Sequence, residues 1–339
     1  MTIKRSWRAR SLALLGAAAG VALALSACSS PAPSAPAEEE SVAATLPSGT
    51  LTMVTPYGAG GTTDLTARSL AAGMEASLGQ TVIVENLPGA SGITGTAKVA
   101  TAKADGSTLL FAVDNVFIQS VLRDAPYTFD SFVGVRGFFA QPYLLVVSAD
   151  SPYQSVADLE KAGKINYGTS GWANEQHLDN AILFEQLGVE AAAVPFDGNG
   201  PATQALIGDN VDVLLSDAQP LMPFVDSGDV RVLAVLSPTG ERLDYLPEVP
   251  TLEEDGVDTS EMMLPTWGFA LPAGASEGIV AAWDAEIMAA AETPEFQEFA
   301  ELNYLILIDD AEAVTWFEDA RESAQAYVDL LERFNITLQ

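Results

Sequence analysis

The stretch from Leu51 to Asp64 constrains the fold more than any other part of this sequence. It reads LTMVTPYGAGGTTD, a short apolar run followed by a glycine-rich segment and the start of a helical pattern. Glycines leave backbone N–H groups uncovered and permit positive φ, and a helix start adds unpaired N–H donors at the positive end of its dipole. The pattern predicts a strand, a loop and a helix N-terminus that suit a carboxylate or a phosphate. The alternative is a tight turn that binds nothing.

Nucleotides and nucleic acids are poor candidates for this ligand. The glycine spacing fits neither GxxxxGK[ST] nor GxGxxG, and no lysine follows the glycines. The chain has 15 Lys and Arg against 46 Asp and Glu, a formal net charge of −31. Because nucleic-acid binding needs a basic surface, this charge argues against it.

The first residues have the pattern of a secretion signal. Four basic residues precede an apolar run from Leu12 to Leu25, which is too short for a permanent membrane-spanning helix. The run ends in Leu-Ser-Ala-Cys, which resembles the lipobox of bacterial lipoproteins. We therefore predict a signal peptide over 1–27 and lipidation of Cys28, with an incidental thiol as the alternative. Cys28 is the only cysteine, so disulfides are excluded.

Residues 28–48 are rich in Ser, Pro, Ala and Glu and lack apolar periodicity, so we expect a flexible tether. The protein would then be extracytoplasmic and held to the cell membrane by its lipid, in the periplasm or on the outer face. About 290 residues remain, enough for two packed lobes.

Strands and helices alternate along these residues, which implies parallel strands joined by crossover helices. After the strand at Leu51 we expect strands at 81–85, 108–113, 141–148, 164–167, 191–195, 211–215, 230–236 and 267–271. We expect helices at 65–78, 96–102, 175–187, 202–207, 277–291, 294–302 and 311–334, with a short one capped by Ser155. The chain would cross between lobes near Val146 and near Gly268. These crossings give one lobe of 49–145 and 270–339, a second lobe of 146–269, and a hinge between them.

A second small-residue loop, GTSGWAN over 168–174, repeats the opening design by joining a strand to a helix. Asp114 and Asn115 follow another strand, and Asp217 follows a strand of the second lobe. Open α/β sheets bind ligands at the carboxyl ends of their strands. We therefore expect these segments to face one cleft.

Seven segments resemble, in order, those of the substrate-binding proteins of tripartite tricarboxylate transporters, the Bug or TctC-like family. They are PYGAGGTTD (56–64), VENLPGASGITG (84–95), ADGSTLLF (104–111), INYGTSGWANEQHL (165–178), VPFDGNGPA (194–202), LPEVPTLEEDG (246–256) and TWGFALPAGA (266–275). The resemblance covers nearly all of the chain after the tether.

The resemblance implies an α/β fold of the two-lobed type II periplasmic-binding-protein kind, each lobe a mainly parallel sheet flanked by helices. It implies a monomer without cofactor or catalytic residues, which closes on a small carboxylate and delivers it to the permease subunits of a membrane transporter. Loops from both lobes would hold the carboxylate, and Asp217 would accept from a donor at the ligand's far end. With Asp114, the implied binding residues are Tyr57, Gly60, Gly61, Thr62, Asp64, Thr169, Ser170, Gly171, Asn174 and Asp217.

At several positions the chain departs from the family pattern, and these changes affect how the cleft would recognise the ligand's far end, away from the bound carboxylate. Leu87 stands in place of an arginine, Asp114 and Asn115 in place of small polar residues, and Phe196 and Asp197 in place of a tyrosine and a lysine. Ala218 replaces an asparagine. These changes remove cationic side chains and add carboxylates. Because an unpaired charge in a closing cleft is costly, we expect a ligand with one carboxylate and a neutral or amine-bearing far end, unlike citrate.

Two other functions stay open at this point. A ligand-loaded lipoprotein could signal to a membrane sensor kinase, and the sequence does not separate that role from transport. An esterase would need a serine such as Ser170 activated by His177, but no GxSxG elbow surrounds Ser170. His177 is the only histidine, which excludes metal sites built from several His or Cys residues.

Overall fold

The computed structural model describes residues 45–196 and 198–337. The predicted signal peptide, the lipidation site Cys28 and the loop acid Asp197 lie outside these residues. Eleven strands are formed among the described residues: β1 Leu51–Thr55, β2 Val82–Asn86, β3 Thr108–Val113, β4 Phe132–Ala140, β5 Tyr143–Ser148, β6 Lys164–Thr169, β7 Glu190–Pro195, β8 Val213–Asp217, β9 Val230–Leu236, β10 Thr266–Pro272 and β11 Ile306–Leu307.

Ten α-helices lie between or after the strands in the same part of the chain. They are α1 Thr62–Leu78, α2 Ile93–Ala100, α3 Asn115–Leu122, α4 Val156–Leu159, α5 Glu175–Leu187, α6 Asn199–Ile207, α7 Ala218–Ser227, α8 Glu277–Ala291, α9 Pro294–Leu302 and α10 Asp310–Arg333.

The strands form two sheets, one in each lobe. The first has the order β11-β4-β10-β3-β1-β2, and the second has the order β7-β6-β8-β5-β9. The βαβ units are parallel, as predicted: β1 pairs with β2 and β3, and β6 pairs with β7 and β8. Both sheets are nevertheless mixed, because β10 runs antiparallel to β3 and β4, and β5 runs antiparallel to β8 and β9. Most strands of each sheet still run in one direction, and the predicted two-lobed α/β fold is confirmed.

The strand assignments move both expected crossings between the lobes. All of β5 pairs within the second sheet, whereas β4 ends at Ala140 in the first, so the chain crosses at Gln141 and Pro142 instead of near Val146. All of β10 pairs within the first sheet, so the return crossing comes before Thr266 instead of near Gly268. We propose lobe boundaries at these two points in place of 145/146 and 269/270.

The strand β4 was missed because its two glycines weaken the strand pattern. A Cβ at Gly134 would lie 2.5 Å from the Cβ of Phe317, and one at Gly137 would lie 2.7 Å from the Cβ of Trp316. Glycine is therefore required at both positions, because α10 packs directly on this strand. Helix α7 was also missed, since it contains Pro223 in its interior, a residue that usually ends a helix.

The first lobe begins earlier in the chain than the predicted tether allows. Leu46 lies inside the predicted tether of 28–48, yet its side chain is buried in the core that β1, α1 and α8 form. The structured part of the chain thus begins before residue 48. Apolar burial of this kind is the main stabilising contribution to the fold.

Candidate ligand-binding cleft

A cavity of about 690 Å³ lies between the two lobes, at the carboxyl ends of the parallel strands. Residues of both lobes line it: Tyr57, Thr62, Thr63, Ser91, Val113, Asn115, Gln119, Arg123, Tyr143, Ser170, Gly171, Trp172, Ala173, Asn174, Glu175, Gln176, Gly198, Asn199, Asp217, Pro265 and Trp267. Of the predicted binding residues, this set includes Tyr57, Thr62, Ser170, Gly171, Asn174 and Asp217. The structure brings Gly60, Gly61, Asp64, Asp114 and Thr169 close to the cleft but not into its lining.

Several helices begin at this cavity, because each follows a strand that ends there. The first residues of α1, α3, α5 and α6 line it, as does Asp217, which precedes α7. Helices α1 and α6 have glycine N-caps, Gly61 and Gly198, and neither has a side-chain capping bond. Their first N–H groups and the positive ends of their dipoles are therefore available to an anion.

Asp64 supports the glycine loop instead of facing the cavity. Its side chain is buried, accepts a hydrogen bond from the Gly60 N–H at 2.8 Å and pairs with Arg68 at 2.9 Å. Burial by itself would raise the pKa of Asp64, but the bonds from Arg68 and Gly60 outweigh it and lower the pKa. Gly60 has φ +85°, so the loop depends on glycine at this position.

The second predicted loop is held by hydrogen bonds among its own side chains. Asn174 caps α5 by accepting from the His177 N–H at 3.0 Å, and its amide nitrogen donates to the Ser170 hydroxyl at 3.0 Å. The Thr169 hydroxyl lies beneath the loop, 3.0 Å from the Gly171 carbonyl oxygen and from Asn174 Oδ1. These bonds fix the loop that presents Ser170 and Gly171 to the cavity.

Asp217 is held by two amide side chains of its own lobe. Its Oδ2 accepts from Gln176 Nε2 at 3.2 Å and from Asn199 Nδ2. Burial raises the pKa of Asp217 to about 6, although the bond from Asn199 acts in the opposite direction. Gln176 also accepts from the Ser170 N–H at 3.2 Å, so the aspartate and the second loop belong to one network.

Asp114 lies close to the cleft but faces a different cavity. It caps α3 by accepting from the Asn115 N–H at 2.9 Å, and it lines a neighbouring cavity of about 440 Å³. Burial, followed by the nearby Glu175 carboxylate, raises the pKa of Asp114 to about 8. Glu175 lines both cavities.

Sequence reasoning missed a polar chain that runs along α3 and crosses to the other lobe. Arg123 Nε donates to Gln119 Oε1 at 2.8 Å, and Gln119 Nε2 donates to Asn115 Oδ1 at 2.8 Å. Asn115 Nδ2 then donates to Glu175 of the second lobe. The signal was the spacing of four between residues 115, 119 and 123, which places them on one helix face. It went unused because α3 itself was not predicted.

Arg123 is a cationic side chain that sequence reasoning did not place in the cleft. It is an exposed residue in the cavity lining, and no described residue pairs with its terminal nitrogens. The lining therefore carries one cation, Arg123, and two acids, Glu175 and Asp217.

The aromatic residues at the cleft are fixed by their own packing. Trp267 stacks on Phe139 with ring centroids 4.7 Å apart and donates to Thr63 Oγ1 at 2.9 Å. Trp172 donates to the Thr337 carbonyl oxygen at 2.9 Å and lies 4.4 Å from the ring of His177. The faces of these two indole rings that do not pack against other side chains can contact a ligand.

His177 has a structural role in the second loop. Its Nδ1 accepts from the Ala173 N–H at 3.1 Å, and burial lowers its pKa to about 4. The Ser170 hydroxyl is bonded to Asn174, so the two residues do not form the serine–histidine pair that an esterase requires. Within the described part of the chain, no group of three or more His, Cys, Asp or Glu is arranged to hold a metal ion. None of the described helices has both the length and the apolar character that a membrane crossing requires.

The molecule has two α/β lobes with a polar cleft between them, and helices of both lobes begin at this cleft. These features define a solute-binding protein of the two-lobed type II class. Comparison with known proteins gives the family. The family model described as tripartite tricarboxylate transporter family receptor, TctC, matches residues 66–329, and the chain belongs to this family. The family consists of extracytoplasmic solute-binding proteins, and the resemblance seen in the sequence is confirmed.

Individual relatives agree with this assignment. A Pseudomonas sp. protein encoded in the tcbD–tcbE intergenic region is 34% identical over 293 residues, which is 83% of this chain and 82% of the relative. A TctC solute-binding protein from Polaromonas, solved without ligand, superimposes with a TM-score of 0.73 at 26% identity, over 85% of this chain and 100% of that one. MatC from Rhodopseudomonas palustris, solved with bound malate, gives a TM-score of 0.67 at 26% identity, over 84% of this chain and 99% of that one.

Proposed function

We propose that this protein captures a small organic carboxylate between its lobes and delivers it to the permease subunits of a tripartite tricarboxylate-type transporter. The observation that supports this most is the pair of uncapped helix starts, α1 in the first lobe and α6 in the second, beside one cleft. A carboxylate bound between them would accept backbone N–H bonds from both lobes. The ligand would thereby join the lobes.

The helix dipoles would offset the repulsion between this negatively charged protein and an anionic ligand. A protein with a formal charge of −31 repels anions at long range, whereas helix N-termini act within about one turn. Charge-assisted hydrogen bonds contribute about 1.5–3 kcal/mol each. A few of them account for micromolar binding, about 8 kcal/mol, after ordering costs.

Binding of malate by MatC supports a carboxylate as the ligand class. For this chain we propose a ligand with a single carboxylate, either a monocarboxylate or an amino-acid-like molecule, with Asp217 accepting from its far end. Among the residues predicted from the sequence, we propose that Tyr57, Thr62, Ser170, Gly171, Asn174 and Asp217 contact the ligand. The predicted residues Gly60, Gly61, Asp64 and Thr169 would hold the two loops in place, and Asp114 lines the neighbouring cavity.

The N-terminal sequence supports a lipoprotein. Processing before Cys28 and lipidation of its thiol would anchor the mature protein to the cell membrane. The anchored protein, acting as a monomer, would exchange ligand with the permease while staying at the membrane surface.

A thermal-shift screen of mono-, di- and tricarboxylates, aromatic acids and amino acids tests the proposal. A ligand at one hundred times its dissociation constant adds about 2.7 kcal/mol of apparent stability, which a melting curve resolves. We expect a monocarboxylate or an amino acid to raise the melting temperature, and Asp217→Asn to weaken that shift. Asp226→Asn, at an exposed position on α7, is the matched control. A shift with citrate-like acids alone would contradict the proposed ligand class, and no shift with any acid would contradict carboxylate binding.

A further inference from the structure

We propose that Glu175 determines which ligands this cleft accepts, by binding a protonated amine on the carboxylate ligand. The inference rests on the proposed carboxylate-binding function and narrows it to ligands that carry a cationic nitrogen.

The first step is the position of Glu175. It is the first residue of α5, its side chain is half-buried, and it lines the cleft. One of its oxygens, Oε1, accepts from Asn115 of the other lobe. Among the described residues none donates to Oε2, and no Lys, Arg or His forms an ion pair with this carboxylate. Glu175 therefore has an unused acceptor in a partly desolvated site.

The second step compares Glu175 with the other acids nearby. Asp217 Oδ2 accepts from two amide side chains, and Asp114 lines the neighbouring cavity instead of the cleft. Among the side chains of the described residues, only that of Asn115 donates to Glu175. The free oxygen of Glu175 is accessible to water, which a ligand cation would replace with a charge-assisted hydrogen bond.

The third step concerns Arg123, the only cation in the described lining. Two side chains, Gln119 and Asn115, separate it from Glu175, and it is bonded to the first of them. Arg123 therefore leaves Glu175 unpaired. A ligand ammonium is the simplest group that completes this site.

The fourth step is the charge that a ligand adds. Two acids and one arginine already make the lining net negative. A dicarboxylate adds two negative charges to this net negative lining. A carboxylate with a protonated amine adds no net charge, and it offers its negative end to the helix starts and its positive end to Glu175.

The test compares ligand pairs that differ in this one group. Isothermal titration of the purified full-length protein would use 4-aminobutyrate against glutarate, 5-aminopentanoate against adipate, and alanine against lactate. We expect the amine to bind at least about tenfold more tightly than its partner in one or more pairs.

Variants of Glu175 separate charge from packing. Glu175→Gln keeps the shape and the bond from Asn115, and we expect it to lower the preference for the amine by about tenfold. Glu175→Asp keeps the charge, and the preference should survive at reduced affinity. Glu160→Gln makes the same change of charge at an exposed position of the second lobe, and it should leave the preference unchanged.

The remaining outcomes distinguish the two proposals. If none of the three amines binds more tightly than its partner, the role of Glu175 is overturned while carboxylate binding stays intact. An unchanged preference in Glu175→Gln would do the same. Failure of the wild-type protein to bind any of the six compounds, or any acid of the wider panel, would overturn both.

Discussion

The Thr62 hydroxyl, at the first turn of α1, donates to Gln219 Oε1 in α7 at 2.6 Å and so bridges the two lobes at the edge of the cleft. Gln219 Nε2 in turn donates to Asn303 Oδ1 at 2.9 Å, a residue of the first lobe. One glutamine thus holds two parts of the opposite lobe. The bridge exists only while the lobes are close together.

Replacing Gln219 with methionine should therefore ease opening of the cleft. Methionine has a similar length but forms neither hydrogen bond. Losing about 1 kcal/mol of stabilisation of the closed state changes a rate or an equilibrium constant about fivefold. We expect the best-binding carboxylate to dissociate about fivefold faster, measured by stopped-flow fluorescence. Gln325→Met is the control, because Gln325 is exposed and bonds only to Asp329 in its own helix. Equal dissociation rates in the Gln219→Met and wild-type proteins would show that the bridge does not restrain the lobes.

Asp64→Ala tests whether this residue supports the fold, as the contacts indicate. The variant loses the bond from Gly60 and the ion pair with Arg68, which should cost about 1–2 kcal/mol of unfolding free energy at pH 7. Because the folded protein lowers the pKa of Asp64 from 3.8, the contribution is present above pH 4 and disappears as the pH falls through the folded pKa. Urea unfolding at pH 7 and pH 3 measures both values. A difference of the same size at the two pH values would contradict the charge-dependent part of this role.

Asp114→Asn tests the opposite sign of pH dependence. The pKa of Asp114 rises from 3.8 to about 8 on folding, so the folded state binds a proton that the unfolded state has already released. The stability that this carboxyl provides is complete below pH 4 and is lost as the pH rises towards about 8. Asparagine does not titrate there, so the variant should gain stability relative to the wild type across this range. Melting curves at pH 4, 6 and 8 measure the trend, with the exposed Asp150→Asn as control. A constant difference between variant and wild type would contradict it.

Two tyrosines with buried hydroxyl groups, Tyr327 and Tyr245, form a matched pair for testing a contact between the lobes. The Tyr327 hydroxyl in α10 donates to the Ala173 carbonyl oxygen of the second loop at 2.7 Å, in a buried position. Tyr327→Phe should therefore destabilise the protein by about 1–2 kcal/mol, because the carbonyl loses its partner. The Tyr245 hydroxyl is buried with no partner among the described residues, so Tyr245→Phe should be neutral or stabilising. Urea unfolding of both variants compares them. Equal losses would show that the bond to Ala173 contributes nothing specific.

Local sequence patterns predicted many elements of the fold correctly. The helices at 175–187, 277–291 and 294–302 and the strand at 230–236 have the predicted bounds. Their signals lie within a few residues of one another: capping residues at Asn174, Ser276 and Thr293, and a short apolar run for β9. Two of the elements that were missed, β4 and α7, carry local signals that oppose their structure. Gly137 sits in a strand because Trp316 packs against it, and Pro223 sits in a helix whose buried Leu221 and Met222 face the core.

The sequence likewise predicted one part of the candidate site and missed another. The sequence located both loops, Asp217, and the carboxyl ends of the strands as the site of the cleft. It did not reveal that Asp64 turns away to bond Gly60, because a carboxylate in the first turn of a helix can face either direction. Nor did it reveal Glu175 and Arg123, since their importance depends on which side chains meet them from the other lobe.

The sequence by itself determined the two-lobed class, the order of the βα units and the loops that border the cleft, because backbone propensity, capping and apolar periodicity act over short distances along the chain. Only the tertiary structure decided that Asn115 bonds Glu175 across the cleft, that Thr62 bonds Gln219, and that one arginine remains in the lining. These contacts join residues 60 and 157 positions apart in the chain. Whether two such side chains meet depends on how the lobes pack, and no local pattern records that.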